Sequence, residues 1–260
     1  MYDFFFDSAD SGFIESVWQQ IKQVTKPQHV RGITTNPKAM HRVDCHSLLE
    51  WKNKALELCQ LVSDIRKDNE GVVYVQLPNC NATPDQALSF AEEISTWGDG
   101  QTKIAMKIPP YKSILEIVDK LEEFVDTNVT GVADSGTALF AASYGVKYVS
   151  IIPGRMEEVG IDSDAHLKQV TDANLGRTEI IAGSMRTING LKRSVVLGTI
   201  PTIGGTVFRL ILEDLSAMNF ENVEYSSKKP VTSEKNIDLS SSFFVEMNGL
   251  GETAAKEFGL

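Results

Sequence analysis

One lysine in this chain of 260 residues stands where lysines are seldom found. Lys107 lies in Ile104-Ala105-Met106-Lys107-Ile108-Pro109, an apolar run with a charge near its end. Strand alternation puts Ile104, Met106 and Ile108 on one face and Lys103, Ala105 and Lys107 on the other. Lysine is almost never fully buried without a reason. Desolvation lowers its pKa and makes the amine a usable nucleophile. One reading of Lys107 is therefore a Schiff-base lysine. The other is a strand-end lysine whose head snorkels to water.

Further polar residues close β-rich runs in the same way. Asp7 follows three phenylalanines, and Thr34, Thr35 and Asn36 end a second run, where Pro37 holds Asn36 extended. Gln76 lies late in a third run, Asn128 and Thr130 end a fifth, and Ser184 follows a seventh. Taken singly, such residues serve turns and caps. Gathered at strand ends, they make a polar ring at one end of a barrel. Arg155 and Arg186 follow the sixth and seventh runs, in Pro153-Gly154-Arg155 and Gly183-Ser184-Met185-Arg186. Two guanidiniums with a hydroxyl between them suit a phosphate monoester. Either could equally serve a surface ion pair. The four histidines (His29, His41, His46, His166) lack metal-ligand spacing, so neither metal nor cofactor is expected. No G-x-S-x-G or Ser-His-Asp pattern stands out.

These side chains need a frame, and the chain supplies alternating β-rich and helical patterns. Strands are expected at Tyr2–Asp7, Val30–Thr35, Val72–Leu77, Lys103–Ile108, Val125–Val129, Lys147–Ile152, Glu179–Gly183 and Gly198–Ile203. Helices are expected between them. The first carries Phe13, Val17, Ile21 and Val24. The second, Leu48–Ile65, carries Leu48, Leu49, Ala55, Leu58, Val62 and Ile65 on one face. The others are Pro84–Trp97 (capped by Thr83), Ser113–Phe124, Ser135–Tyr144, Ala165–Ala173, Ile188–Val196 and Thr206–Met218. Eight strand–helix units argue for a closed (β/α)8 barrel, a TIM barrel, whose active sites gather at the strands' C-terminal ends. Residues 226–242 turn polar and aperiodic and read as a linker. Phe243–Leu260 reads as an amphipathic helical tail whose Phe243, Phe244, Val245 and Leu250 pack on the barrel or on a neighbouring subunit. The expected division is one catalytic barrel over 1–225 and a C-terminal extension over 226–260.

Composition excludes other classes. The chain is 42% hydrophobic and 23% charged, which is ordinary for a globular protein and wrong for a disordered one. A net charge of −10, with Lys228-Lys229 as the densest basic cluster, argues against nucleic-acid binding. The longest uncharged stretch, Ser194 to Phe208, is about 15 residues, short of the ~20 apolar residues a membrane helix needs. No signal peptide is read at the N-terminus. Three cysteines without a CxxC fit a reducing compartment, and a cytoplasmic location is expected.

Six motifs in order, FFFDSAD at 4–10, GITTNP at 32–37, MKIP at 106–109, TNVT at 127–130, YVSIIPGR at 148–155 and IIAGSMRT at 180–187, resemble the transaldolase family. The likeness is to its short, single-barrel branch, which also holds the fructose-6-phosphate aldolases, and it runs over roughly residues 3–215. The resemblance implies class I aldol chemistry on sugar phosphates in the pentose phosphate pathway, without a metal, and a homo-oligomer. It places the iminium-forming lysine on Lys107 and a proton-handling aspartate on Asp7. Asn36 would hold a dihydroxyacetone hydroxyl, and Thr130 would help hold the catalytic water. Arg155, Ser184 and Arg186 would form the phosphate site, with Thr34 and Asn128 as further substrate contacts. Two positions depart from the pattern. Gln76 stands where transaldolases carry a glutamate and the aldolases a glutamine, and Ile152 stands where the family carries an aromatic ring. The expected activity is transaldolase. The alternatives are a fructose-6-phosphate aldolase, or a phosphosugar-binding or assembly protein without catalysis.

Overall fold

The computed structural model describes residues 2–67, 69–216 and 239–260. Eight parallel strands close into a barrel in sequence order: β1 (Phe4–Asp7), β2 (Val30–Thr34), β3 (Gly71–Gln76), β4 (Thr102–Ile108), β5 (Asp126–Val132), β6 (Tyr148–Ile151), β7 (Glu179–Ala182) and β8 (Ile200–Ile203). β1 pairs with both β2 and β8, which closes the ring. The helices are α1 (Ser11–Ile21), α2 (Pro37–His41), α3 (Leu48–Arg66), α4 (Pro84–Ser95), α5 (Lys112–Leu115), α6 (Val118–Leu121), α7 (Ser135–Ser143), α8 (Pro153–Glu158), α9 (Ser163–Asp172), α10 (Ile188–Val196), α11 (Gly205–Ser216) and α12 (Leu239–Phe258). Residues 217–238, which hold most of the expected linker, lie outside the described residues.

Local chemistry fixes these elements. Ser47 and Glu50 form a reciprocal capping box on α3, as do Thr83 and Gln86 on α4. The expected Ser113–Phe124 helix is instead two short turns, α5 and α6, separated by Glu116 and Ile117. Leu49 is 66% exposed, because only Leu48 of that pair turns inward at the start of α3. Val24 lies past the end of α1 and is exposed, as is Val245 of α12. β5 runs on past Val129 to Val132 through a register shift, where Gly131 adopts φ +72°.

Alternation divides β4 as its pattern requires. Ile104, Met106 and Ile108 join the large core between strands and helices. Ala105 faces the interior with Phe5, Tyr74, Tyr148 and Ile181, backed by Val72 and Ile200. Tyr74 meets Phe5 and Tyr148 edge to face, at ring-centroid distances of 5.3 and 5.7 Å. This aromatic plug fills the barrel. At the strands' N-terminal end Arg31 of β2 bonds Asp3 at 3.2 Å and Glu179 of β7 at 2.8 Å.

Helix α12 lies across the opposite end. Phe243, Phe244 and Met247 bury against Cys80 in the loop after β3. Cys80 N–H donates to Asn248 Oδ1 at 2.7 Å, and Phe258 meets Phe90 of α4. At the same end the loops after β6 and β7 abut. A Cβ on Gly154 would fall 1.8 Å from the Ser184 carbonyl oxygen. Gly154→Ala should therefore cost about 1–3 kcal/mol by overpacking. In a thermal melt that is a Tm loss of roughly 2–4 °C per kcal/mol.

Candidate active site

The polar layer of the barrel stands one pleat above the aromatic plug. Four of its residues follow a plug residue by two positions: Asp7 after Phe5, Gln76 after Tyr74, Lys107 after Ala105, and Ser150 after Tyr148. Side chains two apart share a strand face, so the polar set lines the interior toward the C-terminal mouth. Register sets them side by side, with Gln76 opposite Lys107 and Lys107 opposite Asn128.

Lys107 is 7% exposed, and its ammonium donates to the Thr35 carbonyl at 3.0 Å. Burial pushes its pKa down to about 8, and the Asp7 carboxylate opposes the drop. This degree of burial argues against the snorkelling alternative. Asp7 Oδ1 accepts from Thr34 Oγ1 at 3.2 Å, and Thr34 itself is buried. Thr35 donates its hydroxyl to the Tyr74 carbonyl at 2.6 Å, which holds the β2 end that receives Lys107.

Two amides beside Lys107 are unsatisfied. Both amide atoms of Gln76 and Nδ2 of Asn128 are buried without a protein partner. Asn128 Oδ1 accepts from Ser150 Oγ at 2.8 Å. Orphaned buried amides cost roughly 1–3 kcal/mol each unless a ligand or water takes the bond. They therefore mark the space next to the lysine as one meant for polar occupants. Thr130 is buried one pleat beyond Asn128, just before the bulge at Gly131. Ile152 is buried and precedes α8.

Asn36 sits at the mouth with its Oδ1 committed to capping α2, accepting from Ala39 N–H at 2.9 Å. Ser184 is half-buried in the loop after β7, at φ +56°. The two arginines do not converge on a shared partner. Arg155 lies in the first turn of α8, bonds Glu246 of α12 at 3.0 Å and stacks over the Phe243 ring. Arg186 is exposed and pairs with Glu158 at 2.7 Å. Ser150, Lys38 and Glu246 are absent from the sequence-based set. Ser150 was within reach by alternation from Tyr148. No spacing rule links Glu246 to Arg155, which is 91 positions away. His29 bonds Asp3 and His166 bonds Ser135, so both act in the framework.

Eight parallel strands closed into a ring, with helices between them, define a (β/α)8 barrel, and a buried lysine stands on its fourth strand. A solved structure titled "Crystal structure of a putative deoxyribose-phosphate aldolase from Coccidioides immitis" superposes with a TM-score of 0.51 at 12% identity, covering 83% of this chain and 84% of that one. That likeness carries the fold. The model of the transaldolase/fructose-6-phosphate aldolase family matches residues 4–242. A "Probable transaldolase" of Lactiplantibacillus plantarum is 30% identical over 210 residues, 79% of this chain and 86% of that protein. A "Probable transaldolase 2" of Bacillus anthracis is 29% identical over 199 residues, 75% and 82% of the two chains. A "Probable transaldolase" of Exiguobacterium is 26% identical over 235 residues, 88% and 91%. The chain belongs to the transaldolase/fructose-6-phosphate aldolase family.

The pKa of Lys107 is open to direct measurement. In an NMR titration with 15N-labelled lysine, its Nζ should lose the proton near pH 8, well below the exposed lysines. Asp7→Asn removes the one charge that raises this pKa, so the midpoint should move lower still.

Proposed function

We propose that this chain is a class I transaldolase that moves a dihydroxyacetone unit between sugar phosphates. The observation that carries the proposal is the buried Lys107 amine flanked by the unsatisfied amides of Gln76 and Asn128. A cation meant only for stability would not sit beside polar atoms that lack partners. The names of the relatives point to the same chemistry.

In this reading the neutral Lys107 amine attacks C2 of a ketose phosphate, such as fructose 6-phosphate or sedoheptulose 7-phosphate. The carbinolamine loses water to give an iminium. Asp7 takes the proton from the C4 hydroxyl as the C3–C4 bond breaks. The bonding pair flows into the iminium, which becomes an enamine, and the aldose phosphate leaves. The enamine then attacks an acceptor aldehyde, such as erythrose 4-phosphate or glyceraldehyde 3-phosphate. Water finally releases the new ketose from Lys107. Gln76 and Thr130 position that water. Asn36, Asn128, Thr34 and Ser184 hold hydroxyls, and Arg155 and Arg186 hold the phosphate.

Gln76 favours a second reading. A glutamine can orient water but cannot accept its proton. A fructose-6-phosphate aldolase, which releases dihydroxyacetone freely, fits that residue.

The same proposal places the protein in the cytoplasm as a homo-oligomer of the pentose phosphate pathway. Free Cys45, Cys59 and Cys80 suit a reducing compartment. Exposed Leu139 and Phe140 on α7 offer apolar surface to another copy. No helix among the described residues is long and apolar enough to cross a membrane.

A coupled assay of glyceraldehyde 3-phosphate release from fructose 6-phosphate separates the readings. Release that requires erythrose 4-phosphate marks a transaldolase, and equal release without it marks the aldolase. Lys107→Ala should lower turnover by at least ~10³-fold, the scale on which loss of a covalent nucleophile acts, with an unchanged circular dichroism spectrum. Near wild-type turnover in that variant would sink the mechanism. Gln76→Glu should shift the partition toward transfer, and an unchanged ratio would count against the role given to the water.

A further inference from the structure

Helix α12 brings a carboxylate to the mouth of the barrel. Glu246 Oε1 accepts from Lys38 Nζ at 2.5 Å, and Oε2 accepts from Arg155 at 3.0 Å. Lys38 lies in the first turn of α2, above β2. Arg155 lies in the first turn of α8, above β6. In a ring of eight strands, β2 and β6 face each other, so the bridge Lys38–Glu246–Arg155 spans the mouth. Both cations hold Glu246 below the usual carboxylate range, with the Lys38 hydrogen bond foremost.

The bridge is incomplete. Arg155 Nε is buried without a partner. A carboxylate has two oxygens and places one on each cation. A phosphate monoester has three terminal oxygens and about twice the charge. It can take Lys38 and both faces of the Arg155 fork together. Lys38 and Glu246 keep 41% and 34% of their side-chain exposure, so their pair is partly hydrated and weak enough to exchange, while Arg155 is more deeply set. The helix does not depend on them. Phe243, Phe244 and Met247 seat it on Cys80, Glu257 accepts from Leu48 N–H at 2.6 Å, and Phe258 packs on Phe90.

We propose that Glu246 is a specificity-determining residue: its carboxylate is an internal anion on the Lys38–Arg155 pair that a substrate phosphate must displace. Glu246 thereby narrows the preference for phosphorylated over unphosphorylated sugars. This rests on the reading of the mouth as a sugar-phosphate site and adds Lys38 to that site.

The test is calorimetric titration of the full chain with inorganic phosphate. Removing a competing carboxylate should matter on the scale of a charge-assisted hydrogen bond, so Glu246→Gln should bind phosphate about tenfold more tightly than wild type. Lys38→Met should bind it more weakly, and this variant keeps the proposal falsifiable if Glu246→Gln does not fold. In the kinetic arm, the kcat/KM ratio of glyceraldehyde 3-phosphate to glyceraldehyde as acceptor should rise in Glu246→Gln. Equal phosphate affinity in folded wild type and Glu246→Gln overturns the proposal, as does unchanged affinity in Lys38→Met. Phosphate binding is read without turnover. An inactive protein with the predicted affinities would therefore contradict the catalytic reading and leave the role of Glu246 standing.

Discussion

The interior of the barrel has to keep one ammonium group out of water, and the rest of the site depends on that burial. Lys107 gains a single carbonyl contact, from Thr35, in place of its hydration shell. That exchange is unfavourable for the charged form and favourable for the neutral amine. It therefore brings the lysine to about 8, where an appreciable fraction is nucleophilic at neutral pH. The Asp7 carboxylate opposes that shift by favouring the charged form.

The burial in turn depends on what lies beneath and beside it. Phe5, Tyr74, Tyr148 and Ile181 fill the barrel below Lys107 and bar water from that side. The closed ladder from β1 to β8 fixes each polar side chain one pleat above this plug. Above them α12 crosses the mouth, seated by two phenylalanines at Gly131, where a Cβ would meet their rings at 2.8 Å. A side chain there would drive the helix away from the mouth. At this end Gln76 and Asn128 hold buried amide atoms without a protein partner. At the other end Arg31 ties Asp3 to Glu179. Barrels of this kind carry their chemistry at the strands' C-terminal end.

Much of this is written locally in the chain. The strand pattern of Ile104–Ile108 separates Lys107 from the isoleucine face, and the eightfold alternation of strands and helices implies closure. Asp7, Gln76 and Asn128 follow from the same two-residue period. Long-range contacts are not written there. Arg155 and Arg186 look alike in sequence, yet one is stacked under α12 and the other pairs with Glu158 at the surface. Nothing near Arg155 announces Glu246, because the contact is made by a helix that folds back from the far end of the chain. Local breaks are hard to read for a related reason. The interruption between α5 and α6 falls in a sequence of good helix formers, and packing of Ile114, Leu115, Val118 and Leu121 on the barrel overrides propensity. Leu49 was expected on the buried face of α3, but burial there stops at Leu48.

The most direct measurement is peptide mapping by mass spectrometry after borohydride reduction of the protein with fructose 6-phosphate. A reduced dihydroxyacetone adduct on the peptide carrying Lys107, and absent from Lys107→Ala, is the predicted result. No adduct, or an adduct on another lysine, would contradict the assignment of the buried amine as the group that forms the iminium.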